Sequence, residues 1–290
     1  MPVNAIGVVR KMRGGAQSHL LAADDGHFYV VKFRNNPQHR RILINEWMAT
    51  AVLRHLNIQT APAAIVALDQ AFIEAHPELC LQLGTRRVPP EPGWHYGSRF
   101  PGHPERTAVY DYLPDSLLAT LDNRMDFLGA LVADRWLGNS DARQAIFFRA
   151  ESRELDLAGV HPRRKVFLAQ MIDHGFVFNG PMWDFPDSPL QGLYFRHSVY
   201  AGVQGLASFE PWLGQVESFP VEVLDRAWRS LPPAWLEGED ETAGERMIEI
   251  LLRRRTEVAR YLEQVRRARV GPFPAWKSEQ PPSWPARVNP

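Results

Sequence analysis

The chain has 290 residues, 45% of them hydrophobic, with 33 Lys plus Arg balanced by 33 Asp plus Glu. That length buries a sizeable core, and a net charge of zero disfavours a nucleic-acid partner. No apolar run approaches the ~18 residues of a membrane span, the start lacks the basic and apolar signature of a secretory signal, and the single Cys80 excludes an internal disulfide framework and a cysteine metal cluster, so the expectation is a soluble, cytoplasmic chain.

The first third reads as strands. Residues 5–10, 18–22 and 28–33 are short β-segments. Gly14-Gly15 separates the first two, and Asp24-Asp25-Gly26 separates the next two as a hairpin signal. Residues 38–55 read as a helix that places Ile42, Glu46, Ala49 and Leu53 on one face. Residues 64–68 and 71–75 read as another strand pair.

Residues 85–105 are rich in Pro and Gly, around Gly93-Trp-His-Tyr-Gly-Ser98, and read as a hinge or connection. Residues 115–137 read as mainly helical, 145–149 and 165–172 as strands flanking a loop, and the rest as helices ending in a long one near 243–268. Arg253, Arg254, Arg255, Arg266 and Arg267 read as its solvated face. Trp183, Trp212, Trp228 and Trp235 read as core anchors. The Pro-containing tail from Gly271 is expected to be extended or disordered. Strands first and helices after imply an α+β fold. The expected division is 1–95, 96–270 and a tail at 271–290.

The chemistry-bearing residues follow the same order. Only Lys11, Lys32, Lys165 and Lys277 are lysines, so Lys32 inside Tyr29-Val-Val-Lys32-Phe33 stands out. A strand lysine facing a cleft can reach nucleotide phosphates. Glu46 on an apolar helical face needs a partner, because a buried unpaired carboxylate is costly; Lys32 would satisfy it. Gly14 and Gly15 allow a backbone to approach phosphate oxygens, and Ser18 adds a hydroxyl. Asn139, Asp141 and Gln144 cluster in a short loop after a helix. Asp173 ends an apolar strand, and Gly175 allows a tight exit. One carboxylate positions or deprotonates a hydroxyl and the other holds Mg²⁺ on phosphates, which is the requirement for phosphotransfer from ATP. His174 reads as structural.

Asp134-x4-Asn139-x-Asp141, followed by Ile172-Asp173-His-Gly175-x-x-Phe178, resembles the HipA-like kinases and, more distantly, the phosphatidylinositol 3/4-kinases. The resemblance spans residues 8 to 230. It implies a bilobed protein-kinase-like fold, with a small β-rich N-lobe for ATP phosphates and a larger, mainly helical C-lobe. It assigns Asp141 as the catalytic Asp, Asp173 as the metal-binding Asp, Lys32 as the phosphate-binding Lys and Glu46 as its helix partner. It also implies a hydroxyl acceptor, with protein Ser/Thr suggested by analogy. The family's metal-binding Asn would fall at Ile146, which has no donor, so Gln144 is the candidate replacement and a weakly active or inactive nucleotide-binding module acting through a protein partner is the alternative.

Overall fold

The computed structural model describes residues 1–151, 165–268 and 271–277. Strands β1 (Val3–Lys11), β2 (His19–Ala23) and β3 (Phe28–Lys32) run antiparallel in succession. Helix α1 (Arg41–His55) follows, then β4 (Ala63–Leu68), which pairs in parallel with β1. Strand β7 (Gly93–Arg99) lies antiparallel between β3 and β4 and closes a five-stranded barrel in the order β1-β2-β3-β7-β4. Strand alternation sends Leu21, Ala23, Tyr29, Val31, Phe33, Val66 and Leu68 into one apolar core. The same alternation turns Val30 and Lys32 to the opposite face. Gly97 is required on β7, since a Cβ there would stand 2.5 Å from Val66 Cγ2.

Two expectations fail in this region. Residues 71–75 are not a strand. They lie in helix α2 (Gln70–Ala75), started by Asp69, whose carboxylate accepts the Phe72 N–H at 2.7 Å. Residues 93–98 are not a hinge but the interior of β7, so a division at 95/96 cuts a strand that is paired on both sides. The Gly and Pro content marks only the entry to this strand, where Gly93 has φ +130°. Residues 81–83 and 86–88 add a short hairpin, β5 (Leu81–Leu83) and β6 (Arg86–Val88).

Beyond the barrel, β8 (Val109–Tyr110), β9 (Gln144–Glu151) and β10 (Lys165–Ile172) form a second, antiparallel sheet in the order β10-β9-β8. The expected helix at 115–137 is broken into α3 (Asp115–Leu118) and α4 (Asp126–Leu137). Helix α4 is buried from Phe127 to Leu137, and Gly129 lets it approach the Trp212 indole. Gly138 ends it in the left-handed region at φ +63°. Helices α5 (Trp212–Glu217), α6 (Val221–Arg229), α7 (Asp240–Arg254) and α8 (Val258–Arg267) complete this core. The expected last helix is therefore two, separated by a 3-10 turn at Arg255–Glu257.

Arg254 departs from the expected solvated face. It is buried, and its guanidinium donates to the Trp136 and Arg135 carbonyls. The chain at 271–277 also departs from an extended tail, because Phe273 is buried against Tyr200 and Phe209. The remainder of that expectation, 278–290, lies outside the described residues. Trp183 and Trp235 are buried, and Trp212 donates its indole N–H to the Leu56 carbonyl at 3.2 Å. No helix among the described residues is long and apolar enough to cross a membrane.

Helix α1 is shared by the whole assembly. It packs on α4 and α6 while its buried positions run almost all the way round. Its N-terminus is tied to α7 by Arg40 and Arg41, which pair with the buried Asp240 at 3.2 and 2.8 Å.

Inside the barrel His95 is fully buried. Its Nδ1 accepts the Arg34 N–H at 3.0 Å, which leaves Nε2 as the donor to the Glu91 carbonyl, also at 3.0 Å. A second ring proton would face the Arg34 donor. Burial therefore pushes His95 down to about 3, and burial also lowers His19. Below the ordinary histidine pKa of about 6.5 the unfolded chain binds protons that these folded histidines do not, so stability is lost as pH falls. Urea denaturation from pH 7 to pH 5 is expected to show falling stability, with His95 alone approaching about 1.4 kcal/mol per pH unit below pH 6 and His19 acting in the same direction. His95→Gln is expected to flatten that slope, and a slope that His95→Gln leaves unchanged contradicts the assignment.

Candidate active site

Three elements deliver charged groups to one place. Strand β3 brings Lys32, whose neighbour across the sheet is Tyr96. Helix α1 brings Glu46, and the end of β10 brings Asp173. The Lys32 ammonium pairs with Glu46 and reaches Asp173 Oδ1 at 2.6 Å. Burial opposes the Lys32 charge, but Glu46 and Asp173 outweigh it and hold its pKa above the ordinary lysine value. Lys32 in turn holds the Asp173 carboxyl below its ordinary value. Glu46 is the more deeply buried carboxylate, and burial raises its pKa against the pull of Lys32. Asp173 keeps 37% of its side chain exposed, so one carboxylate of the trio faces outward.

Backbone geometry sets the direction of Asp173. It adopts φ +56°, an uncommon conformation for a residue with a side chain. The turn is held from both sides. Gly175 passes so close to α1 that a Cβ would meet Ile42 Cγ2 at 2.5 Å. Asn45, the residue before Glu46, donates to the carbonyls of Gly175, Val177 and Gly180 at 2.7, 3.1 and 2.9 Å. Its own oxygen accepts the Trp183 indole N–H at 2.8 Å. One helix thus supplies the carboxylate for Lys32 and the amide that shapes the segment after Asp173.

The loop after α4 is positioned by a buried network. Asp134 receives a bidentate pair from Arg143 and a bond from Asn139 Nδ2 at 3.0 Å. Arg143 also donates to the Ile172 carbonyl at 3.0 Å and to His174 Nδ1 at 2.8 Å, and His174 Nε2 meets Thr60 Oγ1 at 2.9 Å. Since Arg143 donates to Nδ1, Nε2 carries the ring proton. Burial and the nearby Arg143 hold His174 far below its usual pKa, so it is neutral and structural. Asn139 is buried, and its oxygen accepts the Asp141 N–H at 3.1 Å. Asp141 itself is exposed, with its carbonyl held by the Gly192 N–H at 2.9 Å.

Gln144, the first residue of β9, connects the two outer carboxylates. Its Nε2 lies 3.2 Å from Asp173 Oδ2 and 3.5 Å from Asp141 Oδ2. Asp141 and Asp173 therefore converge around one amide. Rotation of that amide presents its oxygen to a cation in the same space. Ile146 sits two residues on, opposite Gln170, and offers no donor.

The glycine loop stands apart from this hydrogen-bonded group. Gly14 has φ +120°, and the Ser18 carbonyl accepts the Met12 N–H at 2.8 Å. The amide of Gln17 pairs with the Gln82 backbone at 2.8 and 2.7 Å and fastens the loop to β5. The side chain of Gln38 comes within 2.5 Å of a Cβ built on Gly15. Register still puts the loop at the Lys32 end of the barrel, because His19, the residue after Ser18, pairs with Val31.

Lys32, Glu46, Asp173, Gln144 and Asp141 are thus brought together, while Gly14, Gly15 and Ser18 are joined to them only through the strand register. The positioning roles of Asn45, Arg143 and Thr60 escaped the sequence reading. Asn45 had a usable signal, since a neutral amide on an otherwise apolar helical stretch has to find partners.

Two solved structures of the Golgi casein kinase resemble this chain. One, with Mn/ADP bound, has a TM-score of 0.52 and 13% identity over 93% of this chain and 74% of that chain. The other has a TM-score of 0.54 and 14% identity, covering 92% and 73%. The structure of hydra Fam20 with sugar matches with a TM-score of 0.52 and 12% identity, covering 91% and 86%. These likenesses show a kinase-like fold. No curated protein matches the chain. The family model described as HipA-like kinase matches residues 5–265, and the chain belongs to that family.

Proposed function

We propose that this HipA-like kinase transfers the γ-phosphoryl group of Mg·ATP to a hydroxyl of the protein Ser/Thr class. In this reading the barrel with α1 is the smaller lobe, the helical part with the β8–β10 sheet is the larger, and the nucleotide enters between them. The observation that carries the reading is the continuous chain of contacts Glu46–Lys32–Asp173–Gln144–Asp141. A cytoplasmic setting belongs to the same reading, and the free thiol of Cys80 suits it.

The donor set fits a hard cation held partly by phosphate. Among the described residues no group of three or more His, Cys, Asp or Glu forms a self-sufficient metal cage. Mg²⁺ does not need one, since it binds through one or two carboxylates together with substrate phosphates and water. Asp173 and the Gln144 amide oxygen would hold it, and when bound it supplies neutralisation of the charge developing on the phosphates. Lys32, fixed by Glu46, holds the phosphate oxygens in place. Asp141 accepts a hydrogen bond from the acceptor hydroxyl, aligns its oxygen with the phosphorus and takes up the proton. The Asp134–Arg143 network keeps Asp141 in position while its own carboxylate remains exposed.

Ile146 supports a second reading, a nucleotide-binding module of weak or no activity. The roles of Asp173 and Gln144 separate the two. A group that touches the metal acts in the ground state, whereas one that aligns the acceptor acts in the transition state. Mg·ATP at about 100-fold over its dissociation constant is expected to stabilise the fold by roughly 2.7 kcal/mol in a thermal-shift measurement. Asp173→Asn is expected to shrink that gain, and Asp141→Asn to keep it while abolishing transfer to a protein acceptor. Absence of any thermal shift at millimolar Mg·ATP counts against a nucleotide site. Wild-type transfer by Asp141→Asn ends its catalytic assignment. Gln144→Ala with an unchanged Mg²⁺ requirement moves the balance to the inactive module.

The Lys32–Glu46 pair makes a separate prediction. Lys32→Met and Glu46→Gln both remove the same positioned ammonium from the phosphates. The double variant is therefore expected to lose little more in kcat/KM than either single variant. Losses that add in full show that the two side chains act independently.

A further inference from the structure

Helix α1 carries Glu46 toward the active site, and the next residue, Trp47, lines a pocket between α1 and α6 that the proposed chemistry does not use. Its volume is about 440 Å³, within the range of small-molecule sites. The floor is apolar. Trp47, Ala51, Ala63 and Val223 line it and are only partly buried against the core. Ala51 on α1 and Ala227 on α6 leave the space open, because neither carries more than a methyl group.

Both ends of the pocket are closed. The Trp47 indole N–H donates to Ser230 Oγ at 3.0 Å, and the His55 ring packs on Phe219 with ring centres 4.7 Å apart. The two chain segments therefore run antiparallel, and the space does not continue as a groove along them. A compact ligand suits it. An extended peptide or a partner helix would have to run out past both ends.

The charge around this space has one sign. Arg54 on α1 and Arg226 on α6 line it, are exposed, and have no acidic partner among the described residues. No carboxylate lines it. Glu222 and Asp225 face a separate depression on the outer side of α6, shared with Arg226, Arg229 and Ser230. Two guanidinium groups beside an apolar floor favour an anion with an apolar body. A guanidinium binds a carboxylate through two parallel N–H bonds, and a flat ring covers the Trp47 indole.

Thr50 connects this pocket with the active site. It lines the pocket, is buried, and sets its Oγ1 3.2 Å from the Tyr96 hydroxyl. Burial, and next the Glu46 carboxylate that the same hydroxyl faces, push the Tyr96 pKa up. Tyr96 stands opposite Lys32 in the sheet. Neighbouring side chains thus run from Thr50 through Tyr96 to Glu46 and Lys32.

We propose that the pocket between α1 and α6 binds a small carboxylate with a flat apolar body, and that its occupancy tightens Mg·ATP binding by holding α1 where Glu46 meets Lys32; the second half rests on the nucleotide reading above. A ligand seated on both helices binds the arrangement in which they lie together, and it favours that arrangement by its differential affinity. The coupling is reciprocal, so Mg·ATP tightens the carboxylate by the same factor.

Calorimetry on the full chain tests the site with 2-naphthoate as the probe. The comparators are 2-naphthamide, which keeps the ring and lacks the charge, and acetate, which keeps the charge and lacks the ring. Naphthoate is expected to bind, with both comparators weaker by about tenfold or more. Arg54→Gln and Arg226→Gln are each expected to weaken naphthoate by about tenfold, and both positions are exposed, so an unchanged Tm accompanies the loss. Ala51→Phe, which fills the pocket from α1, is expected to abolish binding. No binding at millimolar naphthoate, equal binding of naphthamide, or arginine variants that bind as tightly as the wild type overturn the site.

A second arm measures the Mg·ATP dissociation constant with the pocket empty and with it saturated by naphthoate. Tightening of about fivefold or more is expected. Thr50→Val, which keeps the shape and removes the bond to Tyr96, is expected to retain naphthoate binding and lose that tightening. An unchanged Mg·ATP affinity overturns the coupling and leaves the carboxylate site standing. A chain that binds naphthoate but no nucleotide removes the kinase reading and the coupling together, while the calorimetry still decides the pocket.

Discussion

The Lys32 ammonium, shared between Glu46 and Asp173, is the contact on which the arrangement of this molecule depends. It joins a strand of the barrel, the helix that crosses behind it and the end of a strand in the second sheet. A buried lysine is tolerated only where carboxylates surround it, and a buried glutamate only where a cation does. Each therefore constrains the other. The third member, Asp173, is less buried and keeps a free face.

The cost of holding that cluster is distributed over neutral contacts. Asn45 satisfies three carbonyls of the turn after Asp173, and Gly175 allows that turn to lie against α1. Arg143 links Asp134, the Ile172 carbonyl and His174, so the loop that carries Asp141 and the strand that leads to Asp173 share one buried guanidinium. The two outer carboxylates, Asp141 and Asp173, are thus positioned by a single network before any ligand arrives. Such preorganisation is what electrostatic catalysis requires, because groups already aligned need not reorganise during transfer. At the far end, Arg40 and Arg41 bind Asp240 and tie the start of α1 to α7.

Much of this was legible in the residues. Apolar runs separated by Gly14-Gly15 and Asp24-Asp25-Gly26 located β2 and β3, and Lys32 stood out as one of four lysines. The inward face of α1 exposed Glu46 as a carboxylate in need of a partner. Asp141 and Asp173 were marked by their positions at the ends of a helix and a strand. Where the reading failed, local composition misled it. Gly and Pro around 93–98 suggested a connection, yet β7 is paired on both sides, because its neighbours β3 and β4 are contributed from distant parts of the chain. An apolar stretch at 71–75 suggested a strand, but Asp69 caps a helix there. Arg254, read as one of a solvated run, is buried because α7 turns it toward α4.

The sequence by itself determined the inventory and its order: a strand lysine, a helix glutamate, a loop aspartate and a strand-end aspartate, on segments whose periodicity follows from local sterics. Only the tertiary structure decided which of them meet. Contact between Lys32 and Asp173 spans 141 residues, and the choice of partners for Asn45, Arg143 and Gln144 depends on which carbonyl or carboxylate packing leaves within about 3 Å. A hydrogen bond of that length is set by the positions of whole elements, and no local pattern encodes it. The burial of Arg135 belongs to the same class, since it arises only when α4, α7 and the segment after Asp173 close over that side chain.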